Sequence, residues 1–269
     1  MTRLLHLTDL HFGLHRVELV EPLRAAILAN QPDLVVVSGD LTHRARAGQF
    51  RAAMQFLNGL GLPLMIIPGN HDMPLFNPFA RFLSPFGRYR RAVGRDLTPQ
   101  VALGAVRLFG VNTADPQQWR GGVARKEEIE RVCQAVRAGP DGGLNILVAH
   151  HPFAEPPGFE RGETAGAQIA TEKLAAAGLN VILSGHLHHW TVGLGIDATS
   201  VRPVLHIQTG TALCSRIGEK NHGFAVIDAS VGQIAVTPWV IDEARTVFAP
   251  QARVAFQGVD GLWQRVALA

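Results

Sequence analysis

The sequence predicts an α/β fold in which parallel strands alternate with helices. Three short apolar runs, at residues 4–8, 34–38 and 64–67, have the length of buried strands. Between them, residues 18–28 and 48–60 carry apolar side chains at helical spacing. Because parallel neighbours need a long crossover, usually a helix, this order of elements indicates βαβ units with helices on the sheet faces.

The alternation continues through the second half of the chain and changes towards its end. Further strands are predicted at residues 106–111, 144–149 and 181–184, and helices at residues 125–138 and 167–177. Gly178 is expected to cap the second of these helices. The last predicted strands are short and typical of a mixed or antiparallel sheet, at residues 192–196, 204–208, 224–228 and 234–240.

Three segments depart from this pattern. Residues 73–99 interleave proline with aromatic residues and carry five arginines, which predicts a compact helical excursion near the strand ends. Two interpretations of it stay open, a connection whose aromatic rings fill the core and a lid whose arginines attract phosphate. Residues 155–166 are rich in Pro, Gly and Glu and predict a mobile loop. Residues 242–269 are patterned too weakly for any assignment.

Length and composition favour one globular domain over residues 1–269. Hydrophobic residues make up 47% and charged residues 17%, which suits a globular enzyme and excludes a disordered or coiled-coil chain. The formal charge of +3, without a long basic block, gives no reason to expect nucleic acid as a partner. Apolar residues in the unassigned tail could close the core or form an interface in a homo-oligomer.

The cysteine count and the N-terminus bear on the compartment. Cys133 and Cys214 lie far apart and outside any CxxC spacing, which predicts neither a disulfide framework nor a zinc ribbon. The first residues lack the apolar core and cleavage site of a signal peptide, and no apolar run reaches membrane-spanning length. We therefore expect a cytoplasmic protein without a membrane partner.

Polar residues follow the apolar runs, often through a glycine turn. The turn Gly69-Asn70-His71-Asp72 comes after the third run, and the strand-end groups together are Asp9, His11, Asp40, Asn70, His150, His186 and His188. This set of oxygen and imidazole donors is too large for one tetrahedral metal and suits two metal ions that share a carboxylate. Mixed O/N ligation favours Fe, Mn, Zn or Co over a metal that prefers thiolates, and we expect Fe or Mn.

Five motifs carry a family resemblance: Asp9-x-His11, Gly39-Asp40, Gly69-Asn70-His71-Asp72, Val148-Ala149-His150-His151 and Gly185-His186-x-His188. Together and in this order they resemble the signature of the calcineurin-like metallophosphoesterases. The Asp-Arg-Gly continuation of Ser/Thr protein phosphatases is missing after Asp40, and Asp72 stands where those enzymes have Glu. With Gly210-Thr211-Ala212, the chain is most similar to the bacterial class III cyclic-nucleotide phosphodiesterase group.

The resemblance implies both a fold and a set of roles. The fold is a four-layer α/β/β/α sandwich of two mixed sheets flanked by helices. One metal would be held by Asp9, His11 and His188, and the other by Asn70, His150 and His186. Asp40 would bridge them, and a metal-bridging hydroxide would be the nucleophile. His71 would face the phosphate or leaving-group oxygen as a general acid or charge stabiliser.

Other polar residues lie next to the proposed ligands or within the predicted strands. Asp72 and His151 are expected to orient the adjacent ligands. His43 has either a similar supporting role or a place at the surface. His6 lies within a strand, where we expect it to pack with a local polar partner.

The function implied by the resemblance is a dinuclear-metal phosphodiesterase that acts on small phosphodiesters. A 3′,5′-cyclic nucleotide such as cAMP is the first substrate to test. The alternatives are a broad-specificity phosphoesterase, a nuclease that uses the same metal motifs, and a non-catalytic scaffold that keeps only the fold.

Overall fold

The computed structural model describes residues 1–140, 142–154, 164–194, 203–259 and 262–267. Most of the predicted loop at 155–166 and the end of the predicted strand at 192–196 lie outside the described residues. The described helices are α1 (Val20–Ala29), α2 (Ala47–Asn58), α3 (Pro78–Leu83), α4 (Gly87–Ala92), α5 (Lys126–Arg137) and α6 (Ala167–Ala177). None of them combines the length and the apolar composition that crossing a bilayer requires.

Sixteen strands occur in the same part of the chain. They are β1 (Thr2–Leu7), β2 (Leu34–Ser38), β3 (Leu64–Ile67), β4 (Gln100–Leu103), β5 (Val106–Gly110), β6 (Gly122–Val123), β7 (Leu144–Val148), β8 (Thr164–Ala165), β9 (Val181–Ser184), β10 (Thr191–Leu194), β11 (Leu205–Gln208), β12 (Gly223–Ser230), β13 (Gln233–Asp242), β14 (Val247–Pro250), β15 (Val254–Val259) and β16 (Leu262–Val266).

The strands form two large mixed sheets and a short pair, β6 with β8. The first sheet has the order β16-β15-β13-β12-β1-β2-β3, with β14 paired to β13, and its strands β1, β2 and β3 are parallel as predicted. The second sheet has the order β10-β11-β9-β7-β5-β4, in which β5, β7, β9 and β11 are parallel.

Side-chain alternation along each strand divides the core into three layers. Leu4 and Val36 of the first sheet pack in one apolar cluster with Ile146 of the second sheet, so the two sheets face each other. Their neighbours Leu5 and Val37 point the other way, into a cluster with α1 and α2. The outer face of the second sheet packs against α5 and α6. The four-layer α/β/β/α sandwich implied by the resemblance is therefore confirmed.

The C-terminal residues that the pattern left unassigned extend the first sheet. β14, β15 and β16 cover most of the described tail, and pair in an antiparallel manner. Phe256 and Trp263 are buried in the cluster between the sheets, which closes the core at this edge. Most other side chains of β15 and β16 are exposed or half-buried, and this explains why alternation was weak in the sequence.

The segment at 73–99 contains α3 and α4, and its aromatic residues divide between two environments. Phe86 and Tyr89 are buried in the cluster that includes α2, and the Tyr89 hydroxyl donates to the Ile66 carbonyl at 3.1 Å. Phe79 and Phe82, in contrast, are exposed. The buried Arg81 donates to the carbonyls of three residues, Pro74, Pro116 and Gln118, so this arginine is not available to an anion.

Candidate active site

The seven strand-end residues come together where the carboxyl ends of five strands meet. Asp9 and His11 follow β1, Asp40 follows β2, Asn70 follows β3, His150 follows β7, and His186 and His188 follow β9. Since β1, β2 and β3 belong to one sheet and β7 and β9 to the other, the site lies between the two sheets. Asp9, His11 and His150 are fully buried there, whereas His186 and His188 are half-buried.

Most of these seven residues have an unusual backbone conformation. Five of the seven residues have positive φ angles: Asp9 (54°), His11 (48°), Asp40 (52°), His186 (70°) and His188 (54°). A non-glycine residue in this region is strained by about 1–3 kcal/mol, and such strain concentrates at functional sites. The turns therefore hold the side chains in directions that unstrained strand ends would not give.

Two of the glycines in these turns make room for side chains from a different strand. A Cβ atom on Gly69 would collide with the carboxylate of Asp40. A Cβ atom on Gly185 would collide with the Thr8 hydroxyl and lie 2.7 Å from Oδ2 of Asp9. The glycine turns noticed in the sequence thus also allow the close approach of the strand ends to one another.

One cluster of donor atoms is formed by Asp9, His11 and His188. Nε2 of His188 lies 3.0 Å from Oδ1 of Asp9 and 3.2 Å from Nε2 of His11. Nδ1 of His188 donates to Oε1 of Glu219 at 2.6 Å, which fixes the ring. Burial opposes protonation of His188, but Asp9 and Glu219 outweigh it and raise its pKa to about 10.

A second cluster contains Asn70, His150 and His186. Nε2 of His150 lies 3.1 Å from Oδ1 of Asn70, and its ring centroid is 5.1 Å from that of His186. Nδ1 of His150 donates to the Ser38 carbonyl at 2.8 Å, so Nε2 is the nitrogen that faces the cluster. Burial, with the positive charge of His150, lowers the pKa of His186 to about 3, which keeps this imidazole neutral.

Asp40 lies between the two clusters. Its Oδ2 is 3.7 Å from Nε2 of His11 and 3.4 Å from Nε2 of His150, while its Oδ1 accepts from the His71 amide at 2.8 Å. Burial opposes ionisation of this carboxyl, but His150 and His71 outweigh it and hold its pKa well below the ordinary value. An ionised carboxylate therefore faces donor nitrogens on both sides.

The donor set fits bound metal ions. Asp9, His11 and Asp40 present ligand atoms within 4.8 Å of one another, and so do His150, His151 and His186. Carboxylate and amide oxygens with imidazole nitrogens are the ligands that borderline divalent metals accept. Nδ1 of His11 is buried without a hydrogen-bond partner among the described residues, so this ring retains one unsatisfied nitrogen at the site.

His71 lies beside both clusters and is half-buried. Its Nδ1 donates to the His43 carbonyl at 2.8 Å, and its Nε2 lies 2.8 Å from Nη2 of Arg216. Because a guanidinium only donates, Nε2 accepts this hydrogen bond. The ring stacks on that of His43 with centroids 5.5 Å apart, so His43 lies against His71 at the site.

Asp72 and His151 contact different parts of the site. The Asp72 carboxylate accepts from the backbone amides of Leu41, Thr42 and Gly69 at 3.0–3.2 Å, which ties the turn after β2 to the turn after β3. Burial raises the pKa of Asp72 to about 7, although these three hydrogen bonds act to lower it. The ring centroid of His151 lies 4.5 Å from that of His186, and its Nδ1 is 2.8 Å from the Thr113 hydroxyl.

Two residues at the site, Arg216 and Glu219, had no signal of their own in the sequence. Both lie in the loop between β11 and β12, which begins near the Gly210-Thr211-Ala212 stretch of the resemblance. That stretch points to the loop, but no spacing rule relates residue 216 to residue 71. His6, in contrast, packs as expected, with Ser38 and Thr209 hydroxyls at 2.8 Å from its two ring nitrogens.

Comparison with known proteins places this site in context. Residues 2–190 match the family model described as calcineurin-like phosphoesterase. The chain is 26% identical over 216 residues to a probable cyclic nucleotide phosphodiesterase of Synechococcus sp., a match that covers 73% of this chain and 80% of the relative. A 45-residue segment is 49% identical to a glycerophosphodiester phosphodiesterase of Enterobacter lignolyticus, covering 17% of this chain and 16% of that protein.

The architecture also has a counterpart among solved structures. It is similar to a dimetal phosphatase from Danio rerio, with a TM-score of 0.62 and 14% sequence identity over 88% of this chain and 95% of that chain. At this identity the similarity concerns the fold.

Proposed function

The chain belongs to the calcineurin-like phosphoesterase family, and on this premise we propose that it hydrolyses small phosphodiesters at a site that holds two metal ions. The family and the relatives named phosphodiesterases identify it as a phosphodiester hydrolase. Because one relative is named a probable cyclic nucleotide phosphodiesterase, 3′,5′-cyclic nucleotides such as cAMP are the first substrates to test.

The position of Asp40 is the observation that carries the two-metal proposal. One carboxylate oxygen faces His11 on one side and His150 on the other, at 3.7 and 3.4 Å. In the proposal, Asp9, His11 and His188 hold one ion, Asn70, His150 and His186 hold the other, and Asp40 is shared. When bound, iron, manganese, zinc or cobalt would polarise the phosphoryl oxygens and lower the pKa of water, which makes a protein nucleophile unnecessary.

Hydrogen bonds behind the ligands support this assignment. Glu219 holds Nδ1 of His188 and the Ser38 carbonyl holds Nδ1 of His150, so both rings turn Nε2 towards the site. Asp72 ties the turns that carry Asp40 and Asn70. These contacts fix the donor atoms before any ligand arrives, and such preorganisation favours binding and catalysis.

His71 is proposed to act on the substrate through Nε2, because the His43 carbonyl engages Nδ1. In that position Nε2 can donate to the leaving-group oxygen as a general acid, or to a phosphoryl oxygen as a charge stabiliser. Both roles need a proton on Nε2, which accepts from Arg216 in the present structure.

A substrate panel combined with metal analysis tests the proposal. The protein would be loaded with manganese or iron and assayed against cAMP, bis-(p-nitrophenyl) phosphate, p-nitrophenyl phosphate and single-stranded DNA. We expect about two metal ions per chain and turnover of diesters above the monoester. Preference for the monoester would contradict the diesterase assignment, and cleavage of DNA at low salt would favour the nuclease alternative. Neither metal nor turnover after loading would favour the scaffold.

A further inference from the structure

The guanidinium of Arg216 reaches the proposed catalytic histidine from a loop that is anchored on both sides. Before Arg216, the Ser215 amide donates to the Leu14 carbonyl at 3.1 Å. After it, the Glu219 amide donates to the Arg216 carbonyl at 3.1 Å, and the Glu219 side chain engages His188. The Arg216 side chain thus meets Nε2 of His71 from a backbone held against the site.

Among the described residues, Arg216 has no acidic partner that would explain its position. None of the ion pairs found in the described ranges includes it, and the acidic residue of its own loop, Glu219, is bonded to His188. The hydrogen-bond partner of its guanidinium among the described residues is instead the imidazole of His71. A guanidinium stays charged in proteins, so a positive charge that no ion pair of the described ranges neutralises lies beside His71.

The other arginines near the site are engaged elsewhere. Arg81 donates to three backbone carbonyls. Arg44 donates from Nε to Nε2 of His43 at 3.0 Å, and its guanidinium lies over the Phe76 ring at 4.8 Å. Arg216 is therefore the arginine whose geometry leaves it directed at the space next to His71.

We propose that Arg216 binds a non-bridging oxygen of the substrate's phosphoryl group, exchanging its hydrogen bond to Nε2 of His71 for one to that oxygen. This inference rests on the proposed function and specifies which residue of this chain recognises the anion. Guanidinium donors match phosphate oxygens in charge and in planar geometry. The exchange also frees Nε2 of His71 to face the leaving group.

The test compares three variants of the metal-loaded protein. Arg216→Gln removes the charge, Arg216→Lys keeps the charge but loses the planar fork, and Lys220→Gln is the matched control because it removes an equal charge from an exposed position in the same loop. The measurements are KM and kcat for bis-(p-nitrophenyl) phosphate, the dissociation constant of inorganic phosphate by calorimetry, and metal content.

We expect Arg216→Gln to weaken phosphate binding and raise KM by about 10- to 100-fold, the effect of one lost hydrogen bond between charged groups, with metal content unchanged. Arg216→Lys should lie between this variant and the wild type, and Lys220→Gln should match the wild type. If Arg216→Gln does not fold, Arg216→Lys is compared with the wild type instead.

Two results would overturn the inference. One is phosphate binding and KM at wild-type values in Arg216→Gln. The other is a fall in kcat alone, since a residue that only positions His71 would leave anion binding intact. If the wild type turns over no diester, the proposed function fails by itself, and calorimetry with inorganic phosphate still decides whether Arg216 binds the anion.

Discussion

The side chains of three consecutive residues at the centre of the site contact three different partners. Oδ1 of Asn70 faces His150, Nε2 of His71 faces Arg216, and the Asp72 carboxylate accepts from backbone amides. The cause is local, because Asn70–Asp72 forms a 3₁₀ turn. With about three residues per turn, successive side chains in such a helix point in directions about 120° apart. Adjacent positions in the sequence can therefore carry separate functions.

Substitutions of Asn70 and His71 should damage the protein in different ways. Asn70→Ala removes a proposed ligand and should lower the metal content towards one ion per chain. His71→Ala should keep both ions and reduce kcat by about 100-fold or more, the usual contribution of a proton donor. Elemental analysis and steady-state kinetics on the same preparations measure both effects. Equal metal loss in the two variants would show that this division of roles is wrong.

At the level of the element, glycine acts differently at helix ends and inside helices. α6 ends at Ala177 and is capped by Gly178, with φ of 100°, and the Leu179 amide closes the helix on the Leu174 carbonyl at 2.9 Å. The cap was predicted from the sequence, because glycine adopts this conformation without steric cost. Gly48 lies instead in the first turn of α2, and a Cβ atom there would meet nothing within 4 Å.

The two glycines should therefore respond to alanine with opposite signs. Gly178→Ala should lower the free energy of unfolding by about 1 kcal/mol, since the added Cβ is strained by the backbone and makes only an ordinary contact with Val136. Gly48→Ala should raise it by about 0.5 kcal/mol because alanine favours the helix. Chemical denaturation of both variants measures the difference, and changes of the same sign would contradict the explanation.

On the scale of the whole molecule, folding encloses histidines that must stay neutral. His206 of β11 is only 8% exposed, and burial lowers its pKa to about 4. Its folded-state pKa is thus below the unfolded value of 6.5, and the unfolded chain binds the additional proton. Stability that is present above pH 6.5 is therefore lost as the pH falls towards 4.

This linkage predicts that the unfolding free energies of the wild type and of His206→Leu depend differently on pH in the acid range. Between pH 6.5 and 4.5, the unfolding free energy of the wild type should fall by up to about 1.4 kcal/mol per pH unit on account of His206. The variant should lack this part of the slope while keeping the part that other histidines contribute. Urea denaturation of the metal-free proteins across this range measures it. Parallel curves for the two proteins would rule out a role for His206.

The local features of the fold and site were accessible from the sequence because they depend on short-range periodicity. Apolar runs of strand length and helical spacing predicted β1, β2 and β3 with α1 and α2 between them. Glycine turns after apolar runs indicated where polar side chains leave the strands. All seven polar residues that follow the apolar runs, with or without a glycine turn, meet at one edge of the structure, between the sheets.

Only the tertiary structure decided which distant segments meet. The strands β15 and β16 belong to the first sheet, and side chains such as Trp263 are buried only because these strands pair there. Arg216 lies 145 positions from His71 in the chain, and Glu219 lies 31 from His188. Periodicity reports on the conformation of a segment, whereas the pairing of distant segments depends on packing summed over the whole core. For this reason the sequence alone indicated the strand-end donor residues, and the folded chain decided that Arg216 meets His71 beside them.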